Sequence, residues 1–206
     1  KYAQKEDWIA EVNKCLRAGV DYMRACIEAS PETRWRFQPG NHEKRLPDYI
    51  KRAAPPLWGI RPGGDETFHR WHDWQNLLRL DALGVDFSGE EYPDGEIALT
   101  DKFIVTHGNY TKAKSGNSAH AALDKCDHSF GQGHDHRLAQ VFRTKWGTDG
   151  LARIHLGMQL GTMALVDRRG LGYAPKPDWQ PGFGVVHAWP DGLFSGQLAP
   201  WVNGVL

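Results

Sequence analysis

The hydrophobic pattern changes period near Gly84, and that change limits the chain to a mixed helix and strand architecture. From residue 7 to residue 29, apolar side chains at Trp8, Ile9, Val12, Leu16, Val20, Met23 and Ile27 recur in steps of three and four, one face of a helix. Asp7 suits the N-cap of that helix, and Ser30-Pro31 ends it. Trp35-Arg36-Phe37-Gln38 reads as a short strand stopped by Pro39-Gly40. Pro47 suits the first turn of a second helix that runs to Ala53. Thr67 is placed to cap a third, with Phe68, Trp71, Trp74, Leu78 and Leu83 inward and Gly84 closing it. Beyond Gly84 the runs are short and strand-like: Ile97-Ala98-Leu99, Phe103-Ile104-Val105, Gln140-Val141-Phe142, Ala152-Arg153-Ile154 and Gly184-Val185-Val186-His187. Helices first and strands later predict an α/β (α+β) fold, a sheet sandwich covered by helices, as a single domain over 1–206. Asp86 to Gly95, acidic and turn-rich, reads as a surface loop.

At 206 residues with 40% hydrophobic content, the chain is long enough for a real core. Its formal net charge of +0 provides no global field for nucleic acid or an anionic membrane, although a metal site could supply positive charge locally to a nucleotide. No run approaches the ~20 apolar residues of a membrane span, and the first residues lack the apolar centre of a signal peptide. Cys15, Cys26 and Cys126 are odd in number and lack Cys-x-x-Cys spacing. They are expected to be buried free thiols in a reducing, cytoplasmic setting.

Three glycine-flanked groups carry the chemistry: Gly40-Asn41-His42-Glu43, Thr106-His107-Gly108 and Gly133-His134-Asp135-His136. Each follows a strand-like run, and the carboxyl ends of strands are where open α/β sheets hold ligands. In an extended segment His134 and His136 share a face while Asp135 points away, so the two imidazoles could each serve one ion of a close pair. Neutral imidazole and a side-chain amide oxygen suit zinc, manganese or iron better than calcium. Taken singly, a Gly-Asn-His is a common turn and a His-x-His a common surface pair; the order of all three is what carries the signal.

In that order the groups resemble the later motifs of calcineurin-like metallophosphoesterases, most closely the single-domain phage and bacterial type, in which Gly-His-x-His is followed by Arg, here Arg137. Asp178-Trp179-Gln180-Pro181-Gly182-Phe183 followed by Val185-Val186 resembles the same subgroup. The resemblance covers roughly residues 8 to 194 and implies a four-layer α-β-β-α sandwich. It implies that Asn41, His107 and His134 bind the second metal and His136 the first. His42 would stand beside the substrate phosphate as the catalytic group, stabilising charge or protonating the leaving oxygen, with Glu43 as scaffold. The implied reaction is hydrolysis of phosphate esters, diesters or nucleic-acid ends rather than phosphoproteins, by metal-activated hydroxide.

The family pattern opens with Asp-x-His and Gly-Asp-x-x-Asp, and neither occurs here. Helix 7–29 corresponds to the helix after the second motif, so the chain is expected to lack the first strand-helix-strand unit. Two ions belong to the intact site, and one is expected in this chain, which alone is expected to be inactive or nearly so. The competing reading is a non-catalytic metal-binding or interaction module from a truncated relative. A serine or cysteine hydrolase and a P-loop enzyme are disfavoured, because neither a Gly-x-Ser-x-Gly elbow nor a Gly-x4-Gly-Lys-Ser/Thr loop is present.

Other candidates read more simply. His69 and His72, at i and i+3 beside aromatic residues, are expected to pack rather than bind metal. His120, His128, His155 and His187 have no motif company. Most of the nine tryptophans are expected in the core, with Trp58, Trp146 and Trp179 in loops. Arg45 and Arg137 follow metal motifs and could meet phosphate oxygens or pair on the surface. Ile60 to Glu66 and Ser88 to Gly95 are the loops where specificity would reside.

Overall fold

The computed structural model describes residues 3–88, 92–164, 166 and 177–202. It is an α+β structure, as the change of period predicts, and it divides into two compact units, residues 1–89 and 90–206.

In the first unit, α1 (Ala3–Ala29) starts four residues before Asp7, so Asp7 lies inside the helix and does not cap it. Leu16, Val20, Met23 and Ile27 pack against Leu78, Leu80 and Val85, whereas Val12 on the same predicted face is 58% exposed. Next, β1 (Arg36–Phe37) pairs in parallel with β2 (Asp86–Phe87), placing the Phe37 and Phe87 rings 6.2 Å apart. The segment read as a loop from Asp86 therefore begins as a strand. Arg34 Nε fixes it by donating to Asp86 Oδ2 at 2.6 Å.

The second helix, α2 (Asn41–Ala53), begins six residues earlier than Pro47 suggests, and Pro47 lies within it. A proline inside a helix leaves the carbonyl four residues back without its donor. That carbonyl belongs to Glu43, and the indole Nε1–H of Trp74 donates to it at 2.9 Å. The substitute bond removes one of the two penalties of an internal proline.

The third predicted helix does not form as one element. Only α3 (Trp74–Leu77) and α4 (Leu80–Leu83) are helical, separated by Arg79 at φ 54°. Local side chains compete with the helix for backbone donors. Asp65 Oδ1 accepts both the Thr67 N–H (2.9 Å) and the Thr67 hydroxyl (2.8 Å), and Asp73 Oδ2 accepts the Arg70 N–H (2.8 Å). Phe68 and Trp71 are consequently exposed, while Leu78 and Leu80 are buried; Gly84 does close α4, at φ 67°. His72 is fully buried, with ring centroids 4.8 Å from Trp58 and 5.3 Å from Trp71, a packed histidine as expected.

The second unit is built on a five-stranded sheet of order β3-β4-β5-β7-β6, from β3 (Glu96–Thr100), β4 (Phe103–Thr106), β5 (Ser129–Gln132), β6 (Leu138–Trp146) and β7 (Ala152–Leu160). β4, β5 and β7 run parallel; β3 and β6 are antiparallel edges. Alternation along the strands separates two cores. Phe103, Leu156 and Met158 face Val186, Phe194 and Leu198 of a two-stranded ribbon, β8 (Gly182–Ala188) and β9 (Phe194–Pro200). Phe130 and Ile104 face Ala119, Ala122 and Leu123 of α5 (Asn117–Leu123) on the other side. Gly157 sits between these layers because a side chain there would press on Leu123 and Phe130 at 3.2 Å. The second unit is thus layered helix, sheet, ribbon.

The three cysteines are free thiols, with Cys26 and Cys126 half-buried and Cys15 exposed, contrary to the expectation that all are buried. Among the described residues, no helix is long and apolar enough to cross a membrane.

Candidate metal centre

The parallel pairing of β4 with β5 brings two of the three histidine groups together. Thr106 and Gln132 are partners at the carboxyl ends of the two strands, so His107 and the turn 133–136 leave the sheet side by side. The Gly133 N–H donates to the His107 carbonyl at 3.1 Å and extends the ladder by one bond. Gly108, at φ 82°, then turns the chain against Gln132, whose side chain would lie 3.0 Å from any Cβ at this position.

His107 Nε2 lies 3.2 Å from His134 Nδ1, with the rings inclined at 69°. Two nitrogens each about 2.0–2.1 Å from one tetrahedral zinc are about 3.3 Å apart. The pair is joined by an imidazole–imidazole hydrogen bond, and its spacing also matches that of two ligands on one transition metal, an ion to which the donor chemistry is suited. Tyr92 covers the pair, 5.4 Å edge-on to His107 and 6.2 Å from His134. Among the described residues, no group of three or more His, Cys, Asp or Glu stands close enough to hold a metal ion. Any further donor to the pair must therefore be of another type or come from outside those residues.

The turn itself differs from the extended segment that the sequence suggests. β5 ends at Gln132, and His134 (φ 66°) and His136 (φ 59°) are both left-handed. Alternation of faces does not apply there. Left-handed backbone costs a non-glycine residue about 1–2 kcal/mol, so the surroundings must hold it. Asp135, 4% exposed, accepts a hydrogen bond from Gln159 Nε2 and one from the Arg137 N–H at 3.3 Å. Gln159, fully buried on β7, in turn accepts from the Gly116 N–H at 2.5 Å. The His136 carbonyl accepts from the Gln180 N–H at 3.0 Å, and the Arg137 carbonyl from the Gly161 N–H at 2.8 Å.

His136 packs edge-on against Trp179, centroids 4.3 Å apart. Arg137 is committed to structure: Nε donates to the Asp178 carbonyl (3.0 Å), Nη1 to the Lys112 carbonyl (2.7 Å), and the guanidinium lies 3.4 Å from the Asp178 carboxylate. The 178–180 segment, whose resemblance to a phosphoesterase subgroup was read from sequence, is thereby laced to the histidine turn.

Asn41 and His42 lie in the first unit, as the opening residues of α2. Asn41 is half-buried and His42 exposed. Glu43 Oε2 accepts the Gly40 N–H at 2.8 Å, the reciprocal half of an N-terminal capping box, which matches its reading as scaffold. Tyr92 lies in the Ser88 to Gly95 loop expected to carry specificity, but nothing in the sequence singles it out there; the pairing of Asp135 with Gln159 has no local signal, since the two are 24 residues apart.

No family model matches the chain, and no solved structure matches it. It is 28% identical over 170 residues to the Gene 54 protein of Mycobacterium phage D29 and, over the same length, to the Gene 54 protein of Mycobacterium phage L5. Each match covers 80% of this chain and 60% of the phage protein, so the chain spans about three fifths of the length of the curated relatives it matches.

Proposed function

We propose that the chain is part of a metal-dependent phosphoesterase of the calcineurin-like type, one that hydrolyses phosphodiesters or nucleic-acid ends. The observation that carries the reading is the 3.2 Å approach of His107 Nε2 and His134 Nδ1 at the carboxyl ends of adjacent parallel strands. Two further features support it. Two left-handed histidines sit in one braced turn, a conformation that concentrates at functional sites. The helix–sheet–ribbon layering of the second unit is compatible with part of a four-layer sandwich.

On this reading His107 and His134 bind one manganese, zinc or iron ion, and His136 belongs to the neighbouring position. A bound cation would lower the pKa of its water and neutralise phosphoryl charge. Among the described residues the ligands are too few for two ions, and the chain alone is inactive or nearly so, in a protein that works in the cytoplasm.

Titration of the 206-residue chain with manganese and zinc tests the reading. About one ion per chain is expected, with loss of binding in His107→Ala and in His134→Ala. No binding, or binding indifferent to both substitutions, overturns it. Manganese-dependent hydrolysis of a nitrophenyl phosphodiester that disappears in His107→Ala would keep the family reading and overturn the inactivity of the chain alone.

A further inference from the structure

Beside His107 a cleft of 590 Å³ runs over the α5 face of the sheet, a volume within the range of about 300–1,000 Å³ typical of small-molecule sites. Its walls differ sharply in chemistry. Ile104 and Phe130, cross-strand neighbours on β4 and β5, supply an apolar floor. Asp94 and Glu96 stand at the end nearest His107, since Glu96 is the register partner of Thr106. Among the described residues neither carboxylate is in an ion pair, and both are exposed. Asn109 lines the same end. Gln132, also on the wall and 1% exposed, has a side-chain Nε2 without a hydrogen-bond partner.

We propose that this cleft takes the neutral organic portion of the ester, a nucleoside, while the phosphate stays at the histidine pair. The Asp94 and Glu96 carboxyl groups accept hydrogen bonds from amino and hydroxyl groups and disfavour a phosphate at their end, while Lys125, also in the lining, offers a cation. The unpaired Gln132 amide asks for an acceptor such as a base carbonyl. The apolar floor suits a flat ring that leaves water. A nucleoside combines all three, whereas inorganic phosphate would find only Gln132 and Lys125 and leave the carboxyl groups and the apolar floor unused. The proposal relies on the phosphoesterase reading for the position of the phosphate, yet nucleoside binding itself needs no metal.

The test uses the full chain in EDTA, titrated with guanosine, adenosine, cytidine and uridine, and separately with inorganic phosphate, followed by ligand-observed NMR. At least one nucleoside is expected to bind saturably. Glu96→Gln is expected to weaken it about tenfold, the loss of one charge-assisted hydrogen bond. Asn109→Ala, also at an exposed position, provides a second reading if Glu96→Gln fails to fold. Absence of binding by all four nucleosides, binding of phosphate alone, or nucleoside binding unchanged in both variants overturns the proposal. A chain that binds manganese but no nucleoside loses the cleft and keeps the metal site. A chain that binds a nucleoside but no metal keeps the cleft and loses the phosphoesterase reading.

Discussion

Gln159 donates its side-chain amide to the buried carboxylate of Asp135, tying the turn that carries His134 and His136 to the central strand β7. A carboxylate 4% exposed is tolerable only when its lone pairs are used, and here the amide and the Arg137 N–H use them. Gln159→Leu removes the amide donor and leaves both the carboxylate and the Gly116 N–H short of a partner. The expected loss is about 1–3 kcal/mol in urea unfolding. If the histidine pair binds zinc as proposed, loosening the turn that presents His134 is expected to weaken that binding. Unchanged zinc affinity in a folded Gln159→Leu protein would show that the turn does not depend on this brace.

His134 occupies left-handed backbone, where a Cβ is unfavourable and glycine is not. His134→Ala and His134→Gly remove the same imidazole, its contact with His107 and its packing on Tyr92. They differ in whether the strain persists. His134→Gly is therefore expected to be the more stable of the two by about 1 kcal/mol, with neither binding metal. Denaturation midpoints of the pair decide the matter, and an alanine variant equal to or above the glycine variant would contradict the left-handed assignment.

Much of the strand content is legible because alternating apolar residues and intervening glycines mark it locally. All five predicted runs became strands, and β6 and β7 run well beyond the segments read from sequence. α5 and β9 were not legible. Asn117–Leu123 offers only alanines and one leucine over seven residues, and Phe194–Pro200 has no β-branched residue. The predicted third helix failed because apolar spacing over 67–84 was counted without the Asp65 and Asp73 side chains that capture the backbone. At the site, glycines flanking each group announced turns. That His107 meets His134 depends on the parallel pairing of β4 with β5, whose partners such as Thr106 and Gln132 are 26 residues apart in sequence, which no local pattern encodes.

Acid is expected to destabilise the chain through two histidines outside the candidate metal site. Burial pushes the His72 imidazole below its ordinary value, with nearby Arg70 adding to the shift and Asp73 opposing it. Burial likewise lowers His155, helped by Lys145 and opposed by Asp127. The unfolded chain titrates these groups near about 6.5. Below that pH the unfolded state binds more protons than the folded one, so their contribution is complete above it and is lost as pH falls through the lowered folded values. Urea midpoints should fall between about pH 7.5 and 5.5, and His72→Phe should flatten part of that fall. A midpoint that rises on acidification would contradict the account.

The bond from Trp74 to the Glu43 carbonyl makes a prediction that depends on Pro47. Trp74→Phe keeps most of the ring but removes the donor, leaving that carbonyl with neither the indole nor a helical N–H. The expected cost is about 1–2 kcal/mol. Pro47→Ala restores an N–H at the position that normally bonds Glu43, so the carbonyl no longer depends on the indole. In the Pro47→Ala background the same Trp74→Phe change should cost measurably less, by about 0.5 kcal/mol or more in a double-mutant cycle. Independent, additive effects would mean that Trp74 stabilises α2 by packing alone.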